Sequence, residues 1–329
     1  MLSEDAMKAI VYQKYGPPDV LQLEDVEKPV VKDDGVLIRV HAASVNRSDW
    51  ESLTAHPRYV RLSGGFLKPR DTILGSDIAG RVEAVGRSVT QFQPGDEVFG
   101  DVLWHGMGGF AEYVSVPESA PLVLKPTSIT FDEAAAIPQA AVLALQGLRH
   151  KGEIEPGHRV LINGAGGGGG TFAIQIAKLL GAEVTGVDNT LKLDMMRSIG
   201  ADHVIDFTHE DFTKGSNGYD RILDFAAHRS ILALKRALRP QGTYSVVGGS
   251  VPRLLQTLVL GSLISATGSK KMSVLIARPN REDLTYMAGL VEAGKVTPII
   301  DRRYELSEVP EALRDLGEGR VKGKAVITV

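Results

Sequence analysis

The stretch RVLINGAGGGGGTFAIQIAK, from Arg159 to Lys178, predicts a β-strand, a glycine-rich turn and an α-helix in direct succession. Val160 to Ile162 is a short apolar run of the kind that forms a buried parallel strand. Apolar residues recur at helical spacing from Thr171 to Leu180. The N-terminus of such a helix attracts a pyrophosphate, because its backbone N–H groups and its dipole both favour negative charge. We therefore predict that a dinucleotide binds at Ala165, Gly166, Gly167, Gly168, Gly169 and Gly170.

The residues that follow the turn support this prediction. Predicted strands alternate with predicted helices at the spacing of a parallel, doubly wound sheet. The strands are expected at 183–187, 203–207, 220–225, 243–247 and 271–277, and the helices at 191–199 and 230–238. A flexible linker is the alternative explanation of the glycines, but linkers are not normally flanked by an apolar strand and an amphipathic helix.

Asp188 ends the second predicted strand, about 20 residues beyond the glycines, where NAD-binding folds place an acidic residue on the ribose hydroxyls. An ordinary surface carboxylate at a strand end is the alternative. Asn189, Thr190 and Lys192 could instead bind a 2′-phosphate, which the charge of Asp188 would repel. The physical argument favours NADH and leaves NADPH open.

The composition narrows the function further. The chain has 329 residues, enough for two domains, and a net charge of only −3, so we expect neither disorder nor a nucleic-acid partner. Cysteine is absent, which excludes disulfides, thiolate zinc sites and cysteine nucleophiles. The eight histidines show no metal-ligand spacing, so no metal site is predicted.

No secretory or membrane-spanning pattern is visible, and we predict a cytoplasmic protein without a membrane partner. Residues 254–264 are apolar but too short to cross a bilayer, so we expect them to be buried. Residues 1–6 lack any pattern and are interpreted as an extension before Met7.

The segments on either side of the nucleotide region predict different structure. Short strands separated by Gly and Pro, expected at 8–12, 35–42, 76–85, 97–99 and 108–116, favour a small β-barrel. Residues 132–149 predict a helix with an interruption at Pro138. The tail predicts a helix capped by Asn280, a strand at 296–300, a helix capped by Ser307 and a strand at 324–329. These tail elements could return to the barrel.

Six further stretches carry a family resemblance: ASVNRSDW (43–50), ILGSDIAGRVEAVG (73–86), PGDEVFG (94–100), GGFAEYV (108–114), AAAIPQAAVLAL (134–145) and GADHVIDF (200–207). Together with the glycine turn, they resemble the medium-chain dehydrogenase/reductase superfamily, in its zinc-independent, quinone oxidoreductase-like (zeta-crystallin-like) branch. The similarity covers nearly all of residues 7–329.

The resemblance implies an α/β fold in which a GroES-like β-barrel catalytic domain is split around a Rossmann domain with a doubly wound parallel sheet. The implied domains are residues 1–133 and 278–329 for the catalytic domain and 134–277 for the cofactor domain. The resemblance also implies an active site in the cleft between the domains and, commonly, a homodimer.

In zinc-dependent members of this superfamily, a Cys, a His and a second Cys hold a catalytic metal. The matching positions here are Asn46, Ser76 and Gln139, and none is a thiolate or an imidazole, so the resemblance implies no catalytic zinc. Without a Lewis acid, alcohol oxidation loses its means of stabilising an alkoxide. Hydride transfer from NADPH or NADH to a quinone or to the β-carbon of an enone needs only hydrogen-bond donors for the oxyanion, and solvent can supply the proton. We predict a zinc-independent oxidoreductase of this kind, with a small carbonyl or quinone substrate.

Three residues are candidates for the catalytic site. Asn46 is the first choice for a polar group beside the substrate or the nicotinamide ribose, and a turn residue is its alternative role. Gln139 follows Pro138 where the domains join. Trp50 is a candidate wall of the substrate pocket, with core packing as the alternative. Asp49 could orient its neighbours, but a helix cap is the preferred interpretation.

Small residues at predicted strand ends are further candidates for the cofactor site. Ala226, Ala227 and Gly248 lie where open α/β sheets bind ligands, and their size would admit the nicotinamide or reflect packing. By resemblance, Lys324 lies in a region near the cofactor. Gly169 stands where relatives often have valine, and the sequence does not explain it.

Two other functions stay open at this point. The chain could bind nucleotide with little turnover, as crystallin-like or sensory members do, so that the cofactor quenches fluorescence but no acceptor is reduced. It could also be an alcohol dehydrogenase, which predicts reduction of the nicotinamide by simple alcohols and loss of activity with a chelator. The missing ligands argue against the second alternative.

Overall fold

The structure, a computed structural model, describes residues 6–215 and 218–329, and the chain divides into two compact units. The barrel unit holds the chain up to Gln139 together with Pro279–Gly294 and Pro298–Val329. The nucleotide unit holds Ala140–Arg278 and Lys295–Thr297. The domain boundaries predicted after residues 133 and 277 thus lie slightly before the boundaries of the units, which follow Gln139 and Arg278. Of the extension predicted at residues 1–6, residues 1–5 lie outside the described residues, and Ala6 begins the first strand.

The strands are numbered along the chain. The first part of the barrel unit contains β1 (Ala6–Val11), β2 (Gln22–Glu27), β3 (Gly35–Ser44), β4 (Asp77–Val85), β5 (Glu97–Asp101), β6 (Tyr113–Pro117) and β7 (Leu122–Leu124). The nucleotide unit contains β8 (Arg159–Asn163), β9 (Glu183–Asp188), β10 (His203–Asp206), β11 (Tyr219–Asp224), β12 (Leu238–Val246) and β13 (Lys271–Val274). The tail contains β14 (Ile300–Glu305) and β15 (Lys324–Thr328).

The helices are numbered in the same way. They are α1 (Arg47–Thr54), α2 (Arg61–Gly64), α3 (Phe131–Ala135), α4 (Pro138–Arg149), α5 (Gly168–Leu179), α6 (Leu193–Ser198), α7 (Ile231–Ala237), α8 (Val251–Gln256), α9 (Ser262–Thr267), α10 (Arg281–Glu292) and α11 (Val309–Gly317). The interruption predicted at Pro138 separates α3 from α4. Asn280 caps α10 as predicted, because its side-chain oxygen accepts from the N–H of Asp283 at 2.8 Å.

The barrel unit is built on one seven-stranded sheet and one strand pair. The sheet has the order β14-β15-β3-β4-β5-β7, with β6 paired to β3, and β1 pairs with β2. The tail returns to this sheet, since β15 lies antiparallel to β3. The alternating residues Val36, Ile38 and Val40 of β3 are buried, as their spacing predicts. This sheet therefore brings the end of β3, the start of β4 and the start of β15 together.

Three predictions for the barrel unit were wrong in detail. The strand expected at 108–116 begins only at Tyr113, because Gly108 has a φ of +106° and the N–H of Gly109 bonds to Gly75 rather than to a strand. The strand expected at 296–300 lies instead at 300–305, since Pro298 lacks an N–H for a ladder. Ser307 lies inside a 3₁₀ turn, Leu306–Glu308, and α11 starts after it at Val309.

The nucleotide unit contains the predicted parallel sheet. Its strands have the order β10-β9-β8-β11-β12-β13, and each neighbouring pair is parallel. The chain runs outward from β8 in one direction through β9 and β10, and in the other through β11 to β13. The switch point between β8 and β11, at the carboxyl ends of the strands, is where doubly wound sheets bind nucleotides.

The apolar segment 254–264 was predicted to be buried, and this prediction was wrong. It forms part of α8, a π-helical segment (Thr257–Gly261) and α9. Leu255, Leu258, Val259 and Leu263 are 52 to 62% exposed. Within the two described ranges, no helix has the length and apolar character needed to cross a membrane.

Candidate active site

The glycine turn joins β8 to α5 at the switch point. The helix begins at Gly168, earlier than the predicted start at Thr171, so the later glycines form its first turn. Gly164 has a φ of +79°, a conformation that favours glycine. Gly167, Gly168 and Gly169 are partly exposed. Gly168 and Gly169 present first-turn N–H groups, which have no partner within a helix and suit a pyrophosphate, whereas the N–H of Gly167 bonds to the carbonyl oxygen of Gly164 at 3.1 Å.

Two of the predicted cofactor residues face the protein instead. Ala165 is fully buried, and its N–H bonds to the carbonyl oxygen of Val187 at 3.1 Å. A Cβ on Gly170 would lie 2.3 Å from the carbonyl oxygen of Gly164, which real Cβ atoms do not tolerate. Ala165 and Gly170 therefore permit α5 to pack closely on the turn, and this packing positions the exposed glycines between them.

The neighbour of Gly169 explains why this position lacks a side chain. A Cβ on Gly169 would lie 2.6 Å from Cε1 of Phe225, which follows β11. The aromatic ring thus occupies the space that a valine would need. No signal in the local sequence could have connected these two residues, because 55 residues separate them along the chain.

Asp188 lies beside the turn, as predicted for a ribose-binding carboxylate. Its Oδ2 accepts from the N–H of Gly166 at 2.9 Å, and its Oδ1 accepts from the N–H of Asn189 at 2.9 Å. The Nζ of Lys192 lies 3.6 Å from Oδ1, and both side chains are buried. The carboxylate is therefore held at the turn by two N–H donors and partly neutralised by one ammonium.

The other two residues predicted around the ribose make local contacts. The side-chain oxygen of Asn189 accepts from the N–H of Leu191 at 3.1 Å and so caps a 3₁₀ turn, Thr190–Lys192. The hydroxyl of Thr190 donates to Asp206. Neither side chain is directed at the glycine turn by these bonds.

The ends of β11 and β12 meet where the small residues were predicted. The N–H of Ala227 bonds to the carbonyl oxygen of Gly248 at 3.0 Å, and Ala226 is exposed. Asp224, which was not predicted as a site residue, also lies here. Its Oδ1 accepts from Asn163 Nδ2 at 2.7 Å and from the N–H of Ala226 at 3.1 Å. Burial raises the pKa of Asp224. This carboxyl ties the ends of β8 and β11 to the loop that carries Ala226.

The three positions that match zinc ligands come together in the barrel unit. Asn46 Nδ2 donates to Ser76 Oγ at 3.0 Å, and Ser48 Oγ donates to Gln139 Oε1 at 2.8 Å. The two hydroxyl oxygens, of Ser48 and Ser76, are 3.4 Å apart. Asn46 and Ser76 are buried, whereas Ser48 and Gln139 are partly exposed. We call these four residues together with Asp49, Asp77, Asp101 and Lys324 the polar cluster.

Lys324, predicted by resemblance to lie near the cofactor, is the buried cation of the polar cluster. Its Nζ donates to Asn46 Oδ1 at 2.5 Å, to the carbonyl oxygen of Val45 at 3.4 Å and to Asp77 Oδ2 at 3.4 Å. Only 2% of the residue is exposed. An ammonium has three hydrogens, and these acceptors account for all of them, so the ammonium of Lys324 orients Asn46.

Asp77 and Asp101 of the polar cluster were missed as site residues, whereas Asp49 was expected to cap a helix and does so. Asp49 caps α1, since its Oδ2 accepts from the N–H of Asn46 at 2.8 Å, and it also accepts from Ser76 Oγ at 3.3 Å. Asp77 accepts from the N–H of Gln139 at 3.1 Å. These partners come from distant strands and helices, so only the position of Asp77 next to Ser76 could have drawn attention to one of them.

Burial dominates the protonation of the polar cluster. It raises the pKa of Asp49 to about 7, and burial together with the nearby charge of Asp77 raises that of Asp101 to about 7. Burial also raises the pKa of Asp77, although the ammonium of Lys324 opposes this shift. The pKa of Lys324 is lowered, again because burial disfavours the charged form.

Trp50 packs within the barrel unit. A Cβ on Gly317, in α11, would lie 2.3 Å from the indole ring, and the ring also packs against the hydrophobic core. The close contact requires glycine at position 317. The structure thus gives Trp50 the packing role that was the alternative to a pocket wall.

The chain is similar to known protein families, relatives and solved structures. Family models for the alcohol dehydrogenase GroES-like domain and the zinc-binding dehydrogenase match residues 32–127 and 199–327. A 2-methylene-furan-3-one reductase of Solanum lycopersicum is 34% identical, over 98% of this chain and 79% of its own. A chloroplastic NADPH-dependent alkenal/one oxidoreductase of Arabidopsis thaliana is 32% identical over the same shares. The structure of the quinone oxidoreductase from Coxiella burnetii has a TM-score of 0.88 at 29% identity, covering 98% of this chain and 99% of that one.

A GroES-like unit with a Rossmann sheet and a glycine turn defines a nicotinamide-dependent oxidoreductase. The chain belongs to the medium-chain dehydrogenase/reductase superfamily. The predicted family, fold class and enzyme class are thereby confirmed.

One matching family, over residues 199–327, is described as zinc-binding, but Asn46, Ser76 and Gln139, which by resemblance match zinc ligands, do not fit zinc. Two amides and a hydroxyl replace the thiolates and the imidazole that zinc prefers. The one carbonyl oxygen that Asn46 could offer a metal already accepts from the ammonium of Lys324. Across the part of the chain that the structure describes, no group of three His, Asp or Glu side chains is arranged to hold a metal ion.

Proposed function

We propose that this chain reduces quinones or α,β-unsaturated carbonyls with NAD(P)H. The observation that carries the proposal is the polar cluster, in which the three residues that by resemblance match zinc ligands, Asn46, Ser76 and Gln139, take part in hydrogen bonds beside the buried ammonium of Lys324. Such groups can stabilise an oxyanion but cannot replace a Lewis acid in alcohol oxidation. The names of the relatives, which mention a methylene-furanone, alkenals, alkenones and quinones, support the same class of acceptor.

NAD(P)H, when bound, supplies the hydride. In the nucleotide unit, the backbone N–H groups of Gly168 and Gly169 would bind the pyrophosphate, and the carboxylate of Asp188 would bind the ribose. The small, exposed side chain of Ala226 would leave room for the nicotinamide, whereas Ala227 is buried and bonds to Gly248. In the barrel unit, the partly exposed Ser48 and Gln139 would hydrogen-bond the oxygen on which negative charge develops, whereas the buried Asn46 already bonds to Ser76 and Lys324 and would position them.

A spectrophotometric panel tests the proposal. Both NADH and NADPH are mixed with the full-length protein and with quinones, enals, enones or simple alcohols, and oxidation of the nucleotide is followed. We expect steady oxidation with at least one quinone or enone. Fluorescence quenching by nucleotide without any oxidation would favour a binding protein. Reduction of NAD(P)⁺ by simple alcohols, lost on addition of a chelator, would favour an alcohol dehydrogenase.

For the nucleotide preference, we propose NADH over NADPH. A 2′-phosphate would approach the carboxylate of Asp188, which is held in place by Gly166 and Asn189, and Lys192 offsets only part of this repulsion. Asp188→Ser should shift the kcat/KM ratio toward NADPH by about tenfold, which corresponds to ~1.4 kcal/mol. The matched control is Asp194→Ser, because the Asp194 side chain is fully exposed on the next helix. If the ratio of kcat/KM for NADPH to that for NADH were equal in both variants, Asp188 would not bind the ribose.

We also propose that the active protein is a homodimer. The exposed apolar face formed by Leu255, Leu258, Val259 and Leu263 supports a contact with a second copy, because monomers rarely expose such patches. In sedimentation velocity, Leu258→Glu should shift a dimer toward monomer, whereas Leu191→Glu, an exposed leucine outside this face, should not. A protein that sediments as a monomer without substitution would contradict the proposal. The cytoplasmic location stays a prediction, which cell fractionation can test.

A further inference from the structure

The polar cluster contains more buried acids than buried bases. Asp49, Asp77 and Asp101 are 0, 0 and 4% exposed, and Lys324 is 2% exposed. If all four were ionised, three carboxylates and one ammonium would leave two excess negative charges away from water. Burying such charge is costly, and acids in this situation bind protons instead. The cluster is therefore a place where at least one proton is stored near neutral pH.

The hydrogen-bond directions show where a stored proton can go. Lys324 donates to Asn46 Oδ1, so the amide nitrogen of Asn46 must be the atom that faces Ser76. Ser76 Oγ therefore accepts from Asn46, and its own hydrogen points to Asp49 Oδ2, 3.3 Å away. With Asp49 ionised, this hydroxyl points inward.

Protonation of Asp49 reverses this arrangement. The acid then supplies the hydrogen between Asp49 and Ser76, and the hydroxyl of Ser76 is free to turn toward Ser48 Oγ, 3.4 Å away. Ser48 receives this bond, and its own hydrogen, which bonds to Gln139 Oε1 at 2.8 Å, has to turn from that acceptor toward the substrate oxygen. Ser48 is partly exposed, while Asp49 and Ser76 are fully buried, so Ser48 is the outer end of the path.

We propose that Asp49 is the acid that completes the reduction, and that its proton reaches the substrate through Ser76 and Ser48. This inference rests on the proposed function. Hydride addition leaves an electron pair on the carbonyl oxygen of the acceptor. The O–H bond of Ser48 breaks as that oxygen takes the proton, Ser48 takes the proton of Ser76, and Ser76 takes that of Asp49. Asp49 is left as a carboxylate, and water returns its proton after the product leaves.

Burial raises the pKa of Asp49, the N–H groups of Asn46 and Gly75 that bond to it oppose this shift, and four titratable groups surround it. They are Asp77 at the start of β4, Asp101 at the end of β5, Lys324 at the start of β15 and Tyr12 after β1. The two other carboxyls oppose ionisation of Asp49 and the ammonium favours it. Burial raises the pKa of the Tyr12 phenol, which therefore stays neutral and cannot replace the acid.

The test uses the full-length protein, an enone that it reduces and four serine variants. In the unsubstituted enzyme, kcat should fall about tenfold for each pH unit above about 7, because the acid form of Asp49 is then lost. Ser48→Ala and Ser76→Ala break the path, so kcat at low pH should fall by about 100-fold and its pH dependence should disappear. Nucleotide affinity, measured by fluorescence quenching, should change by less than about twofold.

Ser44→Ala is the matched control. Ser44 is equally buried and donates to Asp77 Oδ2 at 3.3 Å, but it does not lie between Asp49 and Ser48. This variant should keep the pH dependence of the unsubstituted enzyme, and Ser48→Thr, which restores a hydroxyl, should recover most of kcat. A solvent deuterium isotope effect on kcat should be present in both and reduced in Ser48→Ala.

Two results would overturn the inference. In the first, Ser48→Ala and Ser76→Ala retain the pH dependence and the isotope effect, while the enzyme still reduces enones, so that the proposed function stands without this path. In the second, Ser44→Ala loses both properties as well, which would assign them to disturbance of the cluster. Failure of the proposed function is distinct, because the unsubstituted protein would then oxidise no nucleotide with any quinone or enone.

Discussion

The glycine turn and the polar cluster both gather hydrogen-bonding groups, but they are assembled in opposite ways. The turn uses backbone N–H groups from a few consecutive residues, at the point where β8 gives way to α5. The polar cluster uses side chains from β4, β5, β15 and the starts of α1 and α4. A binding site made of backbone groups is therefore encoded by a few consecutive residues, whereas a site made of side chains exists only once the sheet has formed.

The two regions also differ in charge. At the turn, the carboxylate of Asp188 has Lys192 as a partner and two N–H donors, so its charge is compensated. In the polar cluster, the acids outnumber the single ammonium of Lys324. The first region suits a bound anion, and the second suits a stored proton. Substitutions that disturb charge should therefore affect the cluster most, and those that add volume should affect the turn.

Loss of the buried ammonium should have the largest effect. The side chains of Lys324 and Asp77 are both buried, so Lys324→Met leaves the Asp77 carboxyl buried without its cation. Removal of one partner of such a pair costs about 3–5 kcal/mol of stability. Urea denaturation monitored by circular dichroism measures this loss in the free energy of unfolding. Lys14→Met, an exposed lysine of the same unit, is the control and should change stability by less than about 0.5 kcal/mol.

A double variant separates charge from packing in this prediction. Lys324→Met combined with Asp77→Asn removes both charges, so it should be more stable than Lys324→Met alone. If the two changes add without coupling, the ammonium and the carboxylate do not interact. The buried pair would then be a matter of packing only.

The contrast between the regions also explains what the sequence could predict. The parallel sheet, the turn and Asp188 follow from periodic patterns within a few tens of residues, and the structure contains them. Asn46, Ser76 and Gln139 were named only through a family resemblance, which does not reveal their partners. Ser48, Asp77 and Asp101 were missed because no local pattern distinguishes a buried polar residue from an exposed one.

Two of the predictions from sequence, the strand at 296–300 and the buried segment 254–264, were wrong for different physical reasons. The strand expected at 296–300 had the right composition, but Pro298 cannot donate to a ladder and the N–H of Thr297 bonds instead to the side chain of Gln175. The segment 254–264 was assigned to the interior because it is apolar, yet several of its leucines face outward. Hydrophobicity alone does not say whether a face is covered by the same chain.

Added volume at the turn should have the next largest effect. A Cβ at Gly170 meets the backbone of Gly164 and Ala165 at 2.3 and 2.5 Å, and backbone cannot move aside without displacing the turn. Gly170→Val should weaken nucleotide binding by at least about 100-fold, or ~3 kcal/mol, because overpacking displaces the N–H groups that hold the pyrophosphate. Isothermal titration with NADH measures the change. A folded variant with unchanged affinity would remove the turn from the nucleotide site.

Substitution of the neighbouring glycine, Gly169, should have the smallest effect on nucleotide binding. A Cβ at Gly169 meets the ring of Phe225 at 2.6 Å, and a side chain can rotate away where backbone cannot. Gly169→Val should therefore weaken NADH binding by about tenfold, or ~1.4 kcal/mol, less than Gly170→Val. Phe225→Ala in the same chain opens the space and should recover most of the affinity, whereas Phe225→Ala should not rescue Gly170→Val. Equal losses at positions 169 and 170, or no rescue at 169, would mean that the ring is not what excludes a side chain there.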